Sequence, residues 1–196
     1  MSKERVIQLT DPQALRAMAH PTRLELIGLL RRGGPLTATQ AGERIGESPA
    51  NCSFHLRQLA KYGLVEEAGG GKGRERPWRA TAISIEWAAR QGLSEEAAAA
   101  GEMLSRVLVE RYFESAIEWL ERQPSEDAEW AEAAAFGDVT AYLTLAELRE
   151  FEGKVRALIE PYLKRLEDPS PPPEDSRPVS LIALAFPLPE GPREAK

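Results

Sequence analysis

Residues 48 to 64 read Ser-Pro-Ala-Asn-Cys-Ser-Phe-His-Leu-Arg-Gln-Leu-Ala-Lys-Tyr-Gly-Leu. Ser48-Pro49 is a helix start, because a serine hydroxyl caps a free N–H and proline is pre-set for the first helical position. Gly63 is a helix stop. At about 100° per residue, Cys52, Leu56 and Leu59 fall on one narrow stripe. Ala50, Phe54, Arg57 and Lys61 lie opposite, flanked by Asn51 and Gln58. A short helix divided in this way packs on a small core with one side and holds a basic, polar surface on the other.

The neighbouring segments constrain the fold further. Asp11-Pro12 opens a helix over residues 11–19, and His20-Pro21 breaks it. A second helix runs from Pro21 to Arg32, with Leu24, Ile27 and Leu30 on one stripe, and Gly33-Gly34-Pro35 ends it. Thr37 opens a third, with Ala38, Ala41 and Ile45 inward, and Gly46 turns the chain into the helix at 48–64. Helix, short turn, helix is a helix-turn-helix pattern. Leu64–Glu67 and Arg76–Thr81 read as two strands around the tip Gly69-Gly70-Gly71-Lys72-Gly73, a hairpin with a basic tip that forms the wing of a winged helix. The glycine-rich tip lacks the Gly-Lys-Ser/Thr ending of a nucleotide-binding loop.

The second half has another character. Residues 94–122 form a long amphipathic pattern carrying Leu104, Val107, Leu108, Ile117 and Leu120, and a shorter one covers 126–135. Residues 139–143 are β-prone. Thr144-Leu145-Ala146-Glu147 is a capping box. It opens a helix with Leu148, Phe151, Val155, Leu158, Tyr162 and Leu166 on one stripe, as in a helix-pairing seam. Pro161 is expected to kink or divide it. After a Pro- and acid-rich linker, Asp168–Pro178, the run Val179–Phe186 reads as a strand that is apolar on both faces and needs cover on both sides.

Charge follows the same division. Residues 1–90 hold 14 Lys and Arg against 9 Asp and Glu, whereas residues 91–196 hold 11 against 22. The first half can approach a polyanion and the second repels one. No apolar run approaches the ~18 residues of a membrane span, and no secretory signal is expected. One cysteine, Cys52, rules out an intrachain disulfide framework and fits a reducing compartment, so a cytoplasmic location is expected. No nucleophile, base and orienting group occur together, so no enzymatic activity is expected.

On the exposed face of the fourth helix, Arg57 and Lys61 suit phosphate or guanine and Asn51 suits adenine. Ser53 suits either, and Phe54 makes apolar contact, for instance with a thymine methyl. His20-Pro21-Thr22-Arg23-Leu24, then Ser53-Phe54-His55-Leu56-Arg57-Gln58-Leu59, then Tyr62-Gly63-Leu64-Val65 together resemble the ArsR-type winged helix-turn-helix repressors over about residues 11–81. The resemblance implies a homodimer on double-stranded DNA with inverted half-sites, the fourth helix in the major groove and the wing on flanking backbone. It places groove contacts at Pro49, Ala50, Ser53 and Phe54; Ser48, Asn51, Arg57 and Lys61 are further DNA-contact candidates, and His55 is either structural or phosphate-contacting. Thr37, Thr39 and Gln40 fall near phosphates, and Lys72, Arg74 and Arg76 on the wing.

The chain departs from metal-sensing members of that family. The third helix has no cysteine, and the only histidines, His20 and His55, lie in the first half, so no metal or other cofactor is expected. Cys52 belongs to the core stripe. The appended half is expected to enlarge the dimer, and Trp119, Trp130, Phe136, Tyr142 and Phe151 are candidates to line a small-molecule effector pocket. The expected architecture is mainly α with a small β-hairpin wing: a winged helix-turn-helix DNA-binding domain, residues 1–90, and a C-terminal α-helical (α+β) region, residues 91–196, for dimerisation and effector binding. The competing reading is a winged helix that binds protein rather than DNA.

Overall fold

The computed structural model describes residues 4–71, 76–87, 92–167, 170 and 172–189. The fold is mainly helical, with a small antiparallel hairpin after the helix-turn-helix. In order the chain forms β1 (Glu4–Gln8), α1 (Pro12–Met18), α2 (Pro21–Gly33), α3 (Ala38–Ile45) and α4 (Pro49–Lys61). Then come β2 (Val65–Glu67), β3 (Trp78–Ala80), β4 (Ala82–Glu86), α5 (Glu95–Arg122), α6 (Ala128–Ala133) and α7 (Leu145–Glu167).

Local chemistry accounts for the helix starts. The side chains of Asp11, Thr37, Ser48, Ser94 and Asp127 each accept a backbone N–H from the first turn they precede. Thr37 and Gln40 close a full capping box, and Thr144 with Glu147 makes a second one at α7. Gly46 takes the left-handed conformation at φ 73°, which frees the chain to turn between α3 and α4. Gly42 serves the same turn by size: a Cβ there would lie 2.5 Å from the carbonyl oxygen of Glu47. Only hydrogen fits between the two helices at that point.

The core sits in the first half. Leu15, Leu26, Ile27, Leu30, Leu56, Leu59, Leu64 and Val65 are fully buried, and α5 closes the cluster with Ala97, Ala100 and Leu104. Burying each large aliphatic side chain contributes roughly 1.5–3 kcal/mol. α5 lies along α1, and α4 packs on α2 and α3. β2 and β3 form the antiparallel hairpin, with Val65 opposite Ala80 and Glu67 opposite Trp78.

Two strands were not foreseen. β1 pairs parallel with β4, Val6 beside Ser84 and Ile7 beside Ile85, tying the start of the chain to the segment after the hairpin. Conversely, residues 139–143 and 179–186 form no strand, and the second run is exposed along its length. α7 also runs unbroken through Pro161, so the proline does not divide the helix.

Beyond Leu104 the packing thins. Val107 and Leu108 are partly buried, and Ile117 and Leu120 of the same helix are exposed. α7 is tied to the first half by Arg156, whose Nη1 lies 2.7 Å from Glu86 Oε1 on β4. No described helix is long and apolar enough to cross a membrane.

Candidate nucleic-acid interface

Three pieces of chain meet on one side of the first half: the first turn of α3, the outer face of α4, and the base of the hairpin. They surround a shallow cavity of about 550 Å³ lined by Thr37, Ala38, Thr39, Ser53, Arg57, Glu67, Arg76 and Trp78. A backbone bridge sets this arrangement. Leu36, just before the α3 cap, donates its N–H to the Trp78 carbonyl (3.0 Å) and accepts from the Trp78 N–H (2.8 Å). The start of α3 is thereby fastened to the hairpin.

The chemistry of this surface suits a phosphate backbone. The Thr37 hydroxyl accepts the Gln40 N–H (3.2 Å) and the Ser48 hydroxyl accepts the Asn51 N–H (3.1 Å). Each hydroxyl keeps its own proton to donate outward. Both helix starts carry partial positive charge and free N–H groups. Arg57 folds along its helix, with Nε 3.1 Å from the Ser53 carbonyl and Nη2 3.0 Å from Ser53 Oγ. Among the described residues no carboxylate pairs with Arg57. Arg76 stands 3.8 Å from Glu67, too long and too exposed to be a strong ion pair. Arg79 is instead held by Glu66 at 2.8 Å.

Most residues singled out from the sequence reach this side. Pro49, Ala50, Phe54, Arg57 and Lys61 are exposed along α4, and Ser53 is half-buried beside them. Ser48, Thr39 and Gln40 are exposed at the two helix starts. Asn51 is partly withdrawn, its amide donating to Glu47 at 2.8 Å. Lys72 and Arg74 lie outside the described residues.

His55 must be corrected. It is 5% exposed and faces the core side, its ring 4.5 Å from that of His20 and 5.2 Å from that of Phe54. It supports the recognition surface from behind and cannot reach a groove. Burial pushes both histidines below the ordinary imidazole value. For His55 the neighbouring His20 and then Arg23 add to the effect, and Glu47 opposes it. Cys52 is fully buried, and burial, with Glu47 and Glu25 nearby, pushes its thiol up, as suits an inert core residue.

The aromatic set of the second half does not enclose a pocket within the described chain. Phe136 and Tyr142 are largely or wholly in water and Phe151 is about half exposed. Trp119 and Trp130 are partly covered, by Arg122 and by Arg177 respectively. No group of three or more metal-ligating side chains is found among the described residues.

Glu67 and Trp78 line the cavity without having been foreseen. Trp78 sits directly after Pro77 in the returning strand, and a large aromatic at the root of a hairpin was the available signal. No curated protein matches the chain. Residues 18–68 match a family model described as a helix-turn-helix domain. That stretch spans α2, α3, α4 and β2 and is similar to a helix-turn-helix domain, which supports a DNA-binding regulator; Arg76 and Trp78, which also line the cavity, lie beyond the matched residues.

Proposed function

We propose that this chain is a homodimeric transcriptional regulator of the ArsR type that represses by occupying an operator with inverted half-sites. The observation that carries the reading is the convergence on one surface of the capped start of α3, Ser53 and Arg57 of α4, and Arg76 of the hairpin, with Phe54 exposed next to Ser53 along α4. In this reading α4 lies in the major groove with Pro49, Ala50, Ser53 and Phe54 at the base edges. Arg57, Lys61, Arg76 and the α3 start take phosphates. Two copies read successive major grooves about 34 Å apart. A dimer is further supported by the apolar surface that the second half leaves in water.

The test is fluorescence anisotropy with the duplex upstream of the chain's own coding region, against a scrambled duplex. The native duplex is expected to bind more tightly, and its affinity to fall about a thousandfold or more between roughly 50 and 200 mM salt if six or more phosphates are neutralised. Equal binding to both duplexes would overturn the assignment.

A further inference from the structure

Among the described residues, eighteen of the twenty-one exposed large apolar side chains lie beyond residue 112. Ten of these fall into two sets. One is the outer stripe of α7, with Phe151, Leu158, Tyr162 and Leu166 exposed. The other is the run 179–188, where Val179, Leu181, Ile182, Leu184, Phe186 and Leu188 are all exposed. The ten side chains of these two sets expose on the order of 1,000 Å² in each copy, more than the few hundred Å² of the largest apolar patch on a typical monomer. A stable interface buries about 1,200–2,000 Å² in total over both partners, and obligate homodimers bury more.

We infer that residues 179–188 of each copy cross to the other copy and lie along its α7, a reciprocal exchange that builds the dimer named in the proposed function, on which this inference rests. Length supports it. At ~3.3 Å per residue the run Val179–Leu188 spans about 30 Å, and at 1.5 Å per residue the α7 stripe from Leu148 to Leu166 spans about 27 Å. One extended strand therefore covers one whole helix face. Chemistry agrees, since the run carries no charge and presents apolar side chains at both odd and even positions. Left in water on both faces such a run is unsatisfied, and α7 of a second copy covers one of those faces.

The chain does not supply that cover to itself. Arg177 fixes the start of the run near α6, its Nη1 2.8 Å from Glu126 Oε1 and its guanidinium 4.8 Å from the centre of the Trp130 ring. Arg156 fixes α7 against β4. With these two points held, run and stripe remain exposed among the described residues. Two unspent surfaces of matching length on one polypeptide are mutually satisfied by a two-fold pair, in which each copy gives one and receives the other.

Photo-cross-linking of the full chain tests this. Unlabelled and isotope-labelled copies, each with Phe186→p-benzoylphenylalanine, are refolded together, irradiated and read by mass spectrometry. About half of the cross-links are expected to join position 186 of one isotope to α7 of the other, the statistical share for exchange within a two-fold pair. Cross-links confined to one isotope, or to a monomer, overturn the exchange. In parallel, full-length Leu184→Asp with Phe186→Asp is expected to sediment as a monomer while keeping its helical circular dichroism. A variant that stays dimeric overturns the exchange but leaves DNA recognition standing. A wild type that exchanges yet prefers no duplex overturns DNA recognition and leaves the exchange intact.

Discussion

Phe54 keeps about half of its surface in water on a helix only thirteen residues long. Its one described ring neighbour is His55, met edge-on at 5.2 Å. So little cover means little folding energy is at stake. Phe54→Ala is expected to lower the melting temperature by no more than a few degrees, the shift of about 1 kcal/mol or less in a chain of this size. If Phe54 contacts a base edge, operator affinity should fall roughly ten- to a hundredfold, about 1–3 kcal/mol. Anisotropy and thermal melts on the same preparation separate the two effects. Large destabilisation with unchanged affinity would mean that Phe54 is packed rather than reading DNA. At this scale the helical period alone told Cys52, Leu56 and Leu59 from Phe54, Arg57 and Lys61, and burial agrees with it. It failed at His55, which stands at the edge of the stripe. Its fate depends on His20, thirty-five positions away in sequence, and no local period carries that contact.

Between elements, the His20–His55 contact joins the start of α2 to the middle of α4. Both Nδ1 atoms are buried without a hydrogen-bond partner, and both rings are held below the ordinary imidazole value. The fold thus favours the neutral rings, whereas an unfolded chain takes up protons as pH drops below about 6.5. The unfolded state then binds more protons, so this contribution to stability is complete above about pH 6.5 and declines as pH falls below it. The melting temperature is expected to drop between about pH 7.5 and pH 5, and to drop less in His55→Gln. An equal drop in the variant would remove the histidine pair as the cause. The helices were legible because their ends are chemical: Asp11, Thr37, Ser48, Ser94 and Thr144 announce where each begins. The β1–β4 pair was not legible, since two short strands about eighty residues apart share no turn that would mark them. The run 179–186 was misread as a strand for the opposite reason. Its residues have the propensity, but the single chain offers it no edge.

At the scale of the molecule the two halves divide the work. The first buries nearly all of the described core and carries the excess of cations; the second carries the excess of carboxylates and nearly all of the uncovered apolar surface. If that surface is covered by a second copy, folding and association are linked, and stability depends on protein concentration. The melting temperature is expected to rise by a few degrees over a hundredfold increase in concentration, in differential scanning measurements from about 1 to 100 µM. A constant value across that range would show that each chain is stable alone. In the first half the helices and the hairpin were legible, and the β1–β4 pair was not. The second half was legible only as helices, because its apolar stripes find little cover among the described residues.

The bridge between Leu36 and Trp78 joins two parts that a duplex would meet at separate places. Two backbone hydrogen bonds make the start of α3 and the root of the hairpin one mechanical piece. A push on the hairpin becomes a tilt of the α3 start, and a pull on α3 drags the hairpin along. In the proposed function, grip on the DNA backbone at those two points would therefore rise and fall together, as with two teeth of one clamp.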